Sequence, residues 1–275
     1  PPGRAGRHGG RDGTRSALMR RRNLTSRLFR SINLDLSIMK HRAKTVALLI
    51  SAVLALTACG GGGGADSPAA GANASWMDVA ADGTSTISSS RLGTALSSLP
   101  VESLSAAEQA SLAYMREEEK LAHDVYAYLN TLWGASLPIF NNIAASEATH
   151  AAAVLTLLQR YSLADPAATT AAGQFANPTL QSLYAQLTAS GALSLVDALK
   201  VGAEIEEVDI VDLQAALVYV DNQDIRAVYG NLLKGSRNHL RAFVLALQQQ
   251  GVVYTPQYLT PADYQAIVGT SIEAG

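Results

Sequence analysis

Glu147 and His150, in the run Ser146-Glu147-Ala148-Thr149-His150, stand three residues apart inside the apolar stretch Phe140–Tyr161. On a helix that spacing points both side chains the same way, about one turn apart, so a carboxylate and an imidazole could share one metal ion. One such pair is common on solvated helices. Its weight comes from three other segments that interrupt an apolar stripe with a ligand-type residue. Glu119 falls among Leu112, Met115, Ala122, Tyr126 and Leu129. Glu204 and Glu207 fall among Leu199, Ala203, Ile210 and Leu217, and His239 among Ile225, Val228, Leu232, Ser236, Phe243 and Ala246. The expected metal ligands are therefore Glu119, Glu147, His150, Glu204, Glu207 and His239. Burying an unpaired carboxylate is costly, and four facing one another repel. Two divalent cations balance four carboxylates. Iron is the expected metal, with manganese or zinc as alternatives. Glu117, Glu118, Glu206, Arg237 and Arg241 are expected on solvated faces. His123 and Asp124 are expected to face outward or to support the ligands, and Tyr126 to bond a ligand carboxylate or to be plain core.

Four long amphipathic helices must position this set. Ser105-Ala-Ala-Glu108 is a capping box that opens a helix running to about Leu132. A second helix spans roughly Ile139 to Tyr161. Asn177-Pro178 starts a short helix that Gly191 stops, in a connection long enough for a crossover. Ser194 opens the third long helix, to about Val220, and Asp221 the fourth, to about Gln250. Thr260-Pro261 starts a short last helix. No strand is evident between them. The expected fold is all-α: a four-helix bundle over 105–275 with an extra short helix in the crossover and a short C-terminal helix. Residues 76–104 are patterned weakly and read as an arm.

The amino end reads as an address. Residues 1–38 are rich in Arg and Gly and read as upstream sequence outside the native fold. Met39 begins a signal peptide, 39–58, with Lys40, Arg42 and Lys44 ahead of the apolar run Thr45–Leu56. Leu56-Thr57-Ala58-Cys59 resembles the lipobox of bacterial lipoproteins, which implies a lipid on Cys59 and a cell-envelope location, at the outer membrane or in the periplasm. Residues 59–75, with five consecutive glycines, read as a flexible tether. Cys59 is the sole cysteine, so neither an intrachain disulfide nor a cysteine-ligated cluster is available. From Cys59 onward 9 basic residues face 21 acidic ones, a net of −12. That balance argues against nucleic acid as a partner.

The runs Met115–Tyr126, Asn142–His150 and Gly202–Ile210, with Gly235-Ser-Arg-Asn-His239 and Pro256-Gln-Tyr258, resemble the ferritin-like superfamily. More narrowly they resemble the DUF2202 group of bacterial proteins. Glu119 with Ala122 and Tyr126 is similar to the first-helix pattern of rubrerythrins, Glu147 and His150 to the second-helix pair, and Glu204 with Glu207 to the paired third-helix glutamates. The fourth helix departs: Ser236 stands where that pattern carries a carboxylate. The resemblance implies a lipid-anchored di-iron or di-manganese protein that oxidises its metals with O2 or peroxide, its electron donor unspecified. The alternative is a non-catalytic scaffold or binding lipoprotein with a degenerate metal site.

Overall fold

The computed structural model describes residues 75–275. A hairpin of β1 (Met77–Val79) and β2 (Ser85–Ile87) leads into α1 (Ser89–Ser97). Six further helices follow: α2 (Ala106–Trp133), α3 (Ile139–Arg160), α4 (Pro178–Gly191), α5 (Leu195–Tyr219), α6 (Gln223–Gln249) and α7 (Pro261–Val268). The fold is an all-α bundle of α2, α3, α5 and α6, with α4 in the crossover, as the sequence leads one to expect. No helix among the described residues is long and apolar enough to cross a membrane. The expected signal peptide, the expected tether up to residue 74 and Cys59 lie outside the described residues.

Local chemistry sets the helix limits. Ser105 Oγ accepts the Glu108 N–H at 3.2 Å while Glu108 accepts the Ser105 N–H at 2.9 Å, completing the capping box. Asn177 caps α4 ahead of Pro178, and Ser194 caps α5 through the Asp197 N–H. At the end of α6, Gly251 takes φ +72°. The Val252 N–H then reaches the Leu247 carbonyl at 2.9 Å, a Schellman closure that favours glycine. Short connections after α2 and α5 make α2/α3 and α5/α6 packed neighbours, while α4 packs on α2 and α5.

The stretch 76–104 is not a loose arm. Met77, Ile87, Leu92 and Leu96 join Leu112, Val154, Leu157 and Leu232 in one buried cluster at one end of the bundle. Strands of three residues are too short for a period-two signal, so no alternation marks them. The hairpin is seated from both sides. Ser146 Oγ and Thr149 Oγ1 on α3 accept the Ser85 and Ile87 N–H groups, each at 3.0 Å. Gly83, at φ +90°, lies so close to α6 that a Cβ would sit 2.8 Å from the Asn238 carbonyl oxygen.

The carboxyl end is latched by a residue that sequence placed in the metal site. Glu207 is fully buried, but its carboxylate belongs to the segment after α6. It accepts the Tyr254 hydroxyl at 2.7 Å, the Gln257 N–H at 3.0 Å and the Tyr258 and Leu259 N–H groups at 2.8 Å each. Arg237 and Arg241, expected on a solvated flank, bind Glu273 and hold the last residues against α6. Replacing Glu207 by Ala strands three N–H donors, two of them part-buried and that of Leu259 buried. The expected result is a loss of about 3 kcal/mol in urea unfolding, with metal content unchanged from the parent chain.

Candidate metal centre

Between its two apolar ends the bundle carries a layer of buried polar groups. Glu119 on α2 is 1% exposed, Glu147 and His150 on α3 are 2% and 0%, and His239 on α6 is 0%. These four expected residues converge. Glu147 is at the centre: its Oε2 lies 2.9 Å from His150 Nδ1 and its Oε1 lies 2.8 Å from His239 Nδ1. The two rings stack with centroids 5.4 Å apart. Glu119 Oε2 comes within 3.5 Å of His150 Nδ1 from the other side.

The fifth residue, and the third carboxylate, is Glu206, 3.4 Å from His239 Nδ1 and 1% exposed. Sequence had put Glu204 and Glu207 in this role and Glu206 in solvent. Glu204 instead faces a cleft at the edge of the bundle, where it accepts the Tyr258 hydroxyl at 3.2 Å. The register error has a physical cause. α5 is covered on several sides, by α6, α4, α2 and the C-terminal segment, so apolar residues run round it and no single stripe marks the inner face. The true inner face is Leu199, Gly202, Glu206, Asp209, Leu213 and Ala216, at alternating steps of three and four, and every member is buried. Tyr126 confirms the orientation by donating its hydroxyl to Glu206 at 2.6 Å.

Asp209 resolves the gap on α6. The Ser236 hydroxyl, where a carboxylate was expected, donates to Asp209 Oδ2. The layer thus keeps a fourth carboxyl beside Glu119, Glu147 and Glu206, carried by α5. Glu117 and Glu118 are also buried, against expectation. Glu117 accepts the Ala176 and Asn177 N–H groups and so fixes the start of α4.

Ser85, on the hairpin, is the contributor that sequence gave no reason to choose. Its Oγ lies 2.8 Å from His150 Nε2 and 3.2 Å from His239 Nε2. A hydroxyl oxygen has two lone pairs, enough to accept an N–H from each ring. With Ser85 accepting from both rings, Nε2 would carry the proton on each histidine, while both Nδ1 atoms face the carboxylates. Gly235 leaves the space for this contact: a Cβ there would sit 2.6 Å from His150 Cε1 and 3.0 Å from Ser85 Oγ.

Burial and mutual charge set the protonation of the layer. Burial would raise Glu147, but the two imidazoles hold its carboxyl well below the usual range. Burial pushes Glu119 up to about 8, against the pull of His150. It also raises Glu206 and takes Asp209 well up. Burial opposes the charged histidines, yet the carboxylates lift His150 well above its ordinary value and His239 to about 9. Both Nδ1 atoms, both Glu119 oxygens and one Asp209 oxygen have no hydrogen-bond partner. Glu147, His150 and His239 offer ligand atoms all within 4.8 Å of one another. Imidazole nitrogens and carboxylate oxygens in this number fit divalent iron or manganese.

Residues 108–271 match the family described as an uncharacterized protein domain, DUF2202. The chain belongs to the DUF2202 family. It is 50% identical over 180 residues to uncharacterized protein MJ0754 of Methanocaldococcus jannaschii, covering 66% of this chain and 96% of the relative. The crystal structure of that hypothetical protein superposes with a TM-score of 0.62 at 50% identity, over 64% of this chain and 99% of the other. The relative corrects one expectation. It comes from an archaeon, a cell with neither outer membrane nor periplasm, so the family is not confined to bacteria and the expected envelope location does not stand. In this DUF2202 chain Ser85 lies ahead of the matched residues, although it contacts both histidines within them.

The layer sets the pH response. Between pH 4.5 and about 8 the folded chain keeps a proton on Glu119 that the unfolded chain releases. Between 6.5 and about 9 it does the same on His239. Both contributions favour the fold at lower pH and are lost as pH rises through the folded values. In the presence of chelator, urea unfolding is expected to show stability falling from about pH 5 to about pH 9. With excess Mn(II) the trend should reverse, because metal competes with protons for the same atoms.

Proposed function

We propose that this chain is a metal-binding protein whose bundle holds two adjacent divalent cations, iron first, in a ferritin-like arrangement. The observation that carries this reading is the Glu147 carboxylate. It lies buried between two Nδ1 atoms that accept and donate no hydrogen bond, while Ser85 holds both Nε2 atoms. A tautomer fixed by its outer nitrogen is the way proteins prepare an imidazole for a metal. Glu119, Glu206 and Asp209 complete four carboxyls with Glu147, which balance two divalent charges. His150 with Glu119, and His239 with Glu206, would each serve one cation, and Glu147 faces both. Bound iron or manganese would supply one-electron chemistry toward O2 or peroxide. The chain's own part is to hold Glu147 ionised, to orient both imidazoles through Ser85 and to keep water out with the apolar layers above and below.

Metal content is the test. The chain is stripped with chelator, loaded with Fe(II) without oxygen, desalted and assayed. Two irons per chain are expected, with a rise in melting temperature on loading; at ligand 100-fold above Kd the added stability is about 2.7 kcal/mol. Glu147→Ala/His150→Ala should lose the metal and the rise together. A parent chain that retains none, or a double variant that retains it all, would contradict the reading. Ser85→Ala tests the positioning role: about tenfold weaker metal binding with the fold intact is expected, measured by competition with a chelator.

A further inference from the structure

A cleft of about 290 Å³, counting its open mouth, lies where α2, α4 and α5 meet. Its walls are apolar, with Leu121, Leu183, Leu187 and Val208 among them, and the two polar side chains that line it, Glu204 and Glu118, are both carboxylates. Glu204 is part-exposed at this edge of the bundle. Glu118 is 4% exposed, and neither of its oxygens has a hydrogen-bond donor. It adjoins the ligand Glu119 in sequence, and the charges of Asp212 and Asp209 act on it directly. Asp209 is in turn within electrostatic reach of Glu119, Glu147 and Glu206, and its Oδ1 has no hydrogen-bond partner. A buried carboxylate that no donor reaches is costly to keep for packing alone. Glu118 is one, and it lines the cleft, while Asp209, within its electrostatic reach, belongs to the buried layer and keeps one oxygen free of hydrogen bonds. On the opposite side the hairpin closes over the histidines, with Ser85 1% exposed.

We propose that this cleft is the passage by which divalent cations reach the buried centre, with Glu204 at its rim, Glu118 at its floor and Asp209 relaying the ion to Glu119. The passage rests on the metal-centre reading and deepens it. A hydrated cation meets one carboxylate in the part-exposed mouth, sheds water between apolar walls and passes to Glu118 and then to the Asp209 oxygen that carries no hydrogen bond. The walls offer a solute nothing polar but carboxyl oxygens, which bind a cation as they give up their protons. A low-dielectric cleft lined by one sign of charge concentrates ions of the other.

Uptake rate separates the passage from the centre. The metal-free full chain is mixed with Co(II) in a stopped-flow spectrometer, and the visible absorption of the bound ion is followed to completion. Glu118→Gln and Glu204→Gln are each expected to fill about tenfold more slowly than the parent, to the same final stoichiometry, and with a weaker dependence on ionic strength. Parent-like rates in both variants would overturn the passage while leaving the centre in place. A lower final stoichiometry in Glu118→Gln would also overturn it, by making Glu118 a ligand. Failure of the parent chain to take up any Co(II) would remove the centre and the passage together, before any variant is made. Glu204→Gln, at the part-exposed rim, keeps the test decisive should the buried Glu118 variant fold poorly.

Discussion

A carboxylate inside a protein needs a positive partner, and the Glu147 carboxylate between His150 and His239 is the point on which this structure turns. The two contacts, 2.9 and 2.8 Å, fix the relative depth of α3 and α6. They also draw in Glu119 and Glu206 from the remaining two helices of the bundle. Each surrounding feature follows from keeping that arrangement dry and aligned. Tyr126 steadies Glu206, Ser236 steadies Asp209, and Gly235 yields the volume that His150 and Ser85 require. Apolar layers close both ends, with Tyr126 and Phe243 on one side and Leu112, Val154 and Leu232 on the other.

The hairpin ahead of the bundle is part of this site. Two hydroxyls on α3, one residue before Glu147 and one before His150, accept its backbone N–H groups. The same turn of helix therefore presents ligands to the interior and hydrogen-bond acceptors to the strand. That pairing satisfies the free edge of β2 and places Ser85 Oγ over both imidazoles. A mobile arm could not fix two tautomers; a strand held at both α3 and α6 can.

How much of this was legible depended on how one-sided each helix is. α2, α3 and α6 present a single apolar stripe, which puts Glu119, Glu147, His150 and His239 on the inward face, where the structure has them. α5 is covered on several sides, and its apolar residues fix no phase. Glu204 and Glu207 were therefore chosen where Glu206 and Asp209 stand. The stripe from Leu199 through Gly202, Glu206, Asp209 and Leu213 was present in the sequence, but so was a competing one. Ser236 had suggested a degraded half-site, because the carboxylate it lacks comes from a different helix, a fact that only tertiary packing reveals. Ser85 was invisible, since a three-residue strand has too short a period to announce itself and a serine has no ligand signature.

The most direct test of the central claim is anomalous diffraction from crystals of the chain loaded with Fe(II), recorded on either side of the iron absorption edge. The expected map places iron between the Glu147 carboxylate and the Nδ1 atoms of His150 and His239, with both Nε2 atoms still on Ser85. Iron bound through Nε2, or at Glu204 and Glu207 with the Glu147 layer empty, would contradict it.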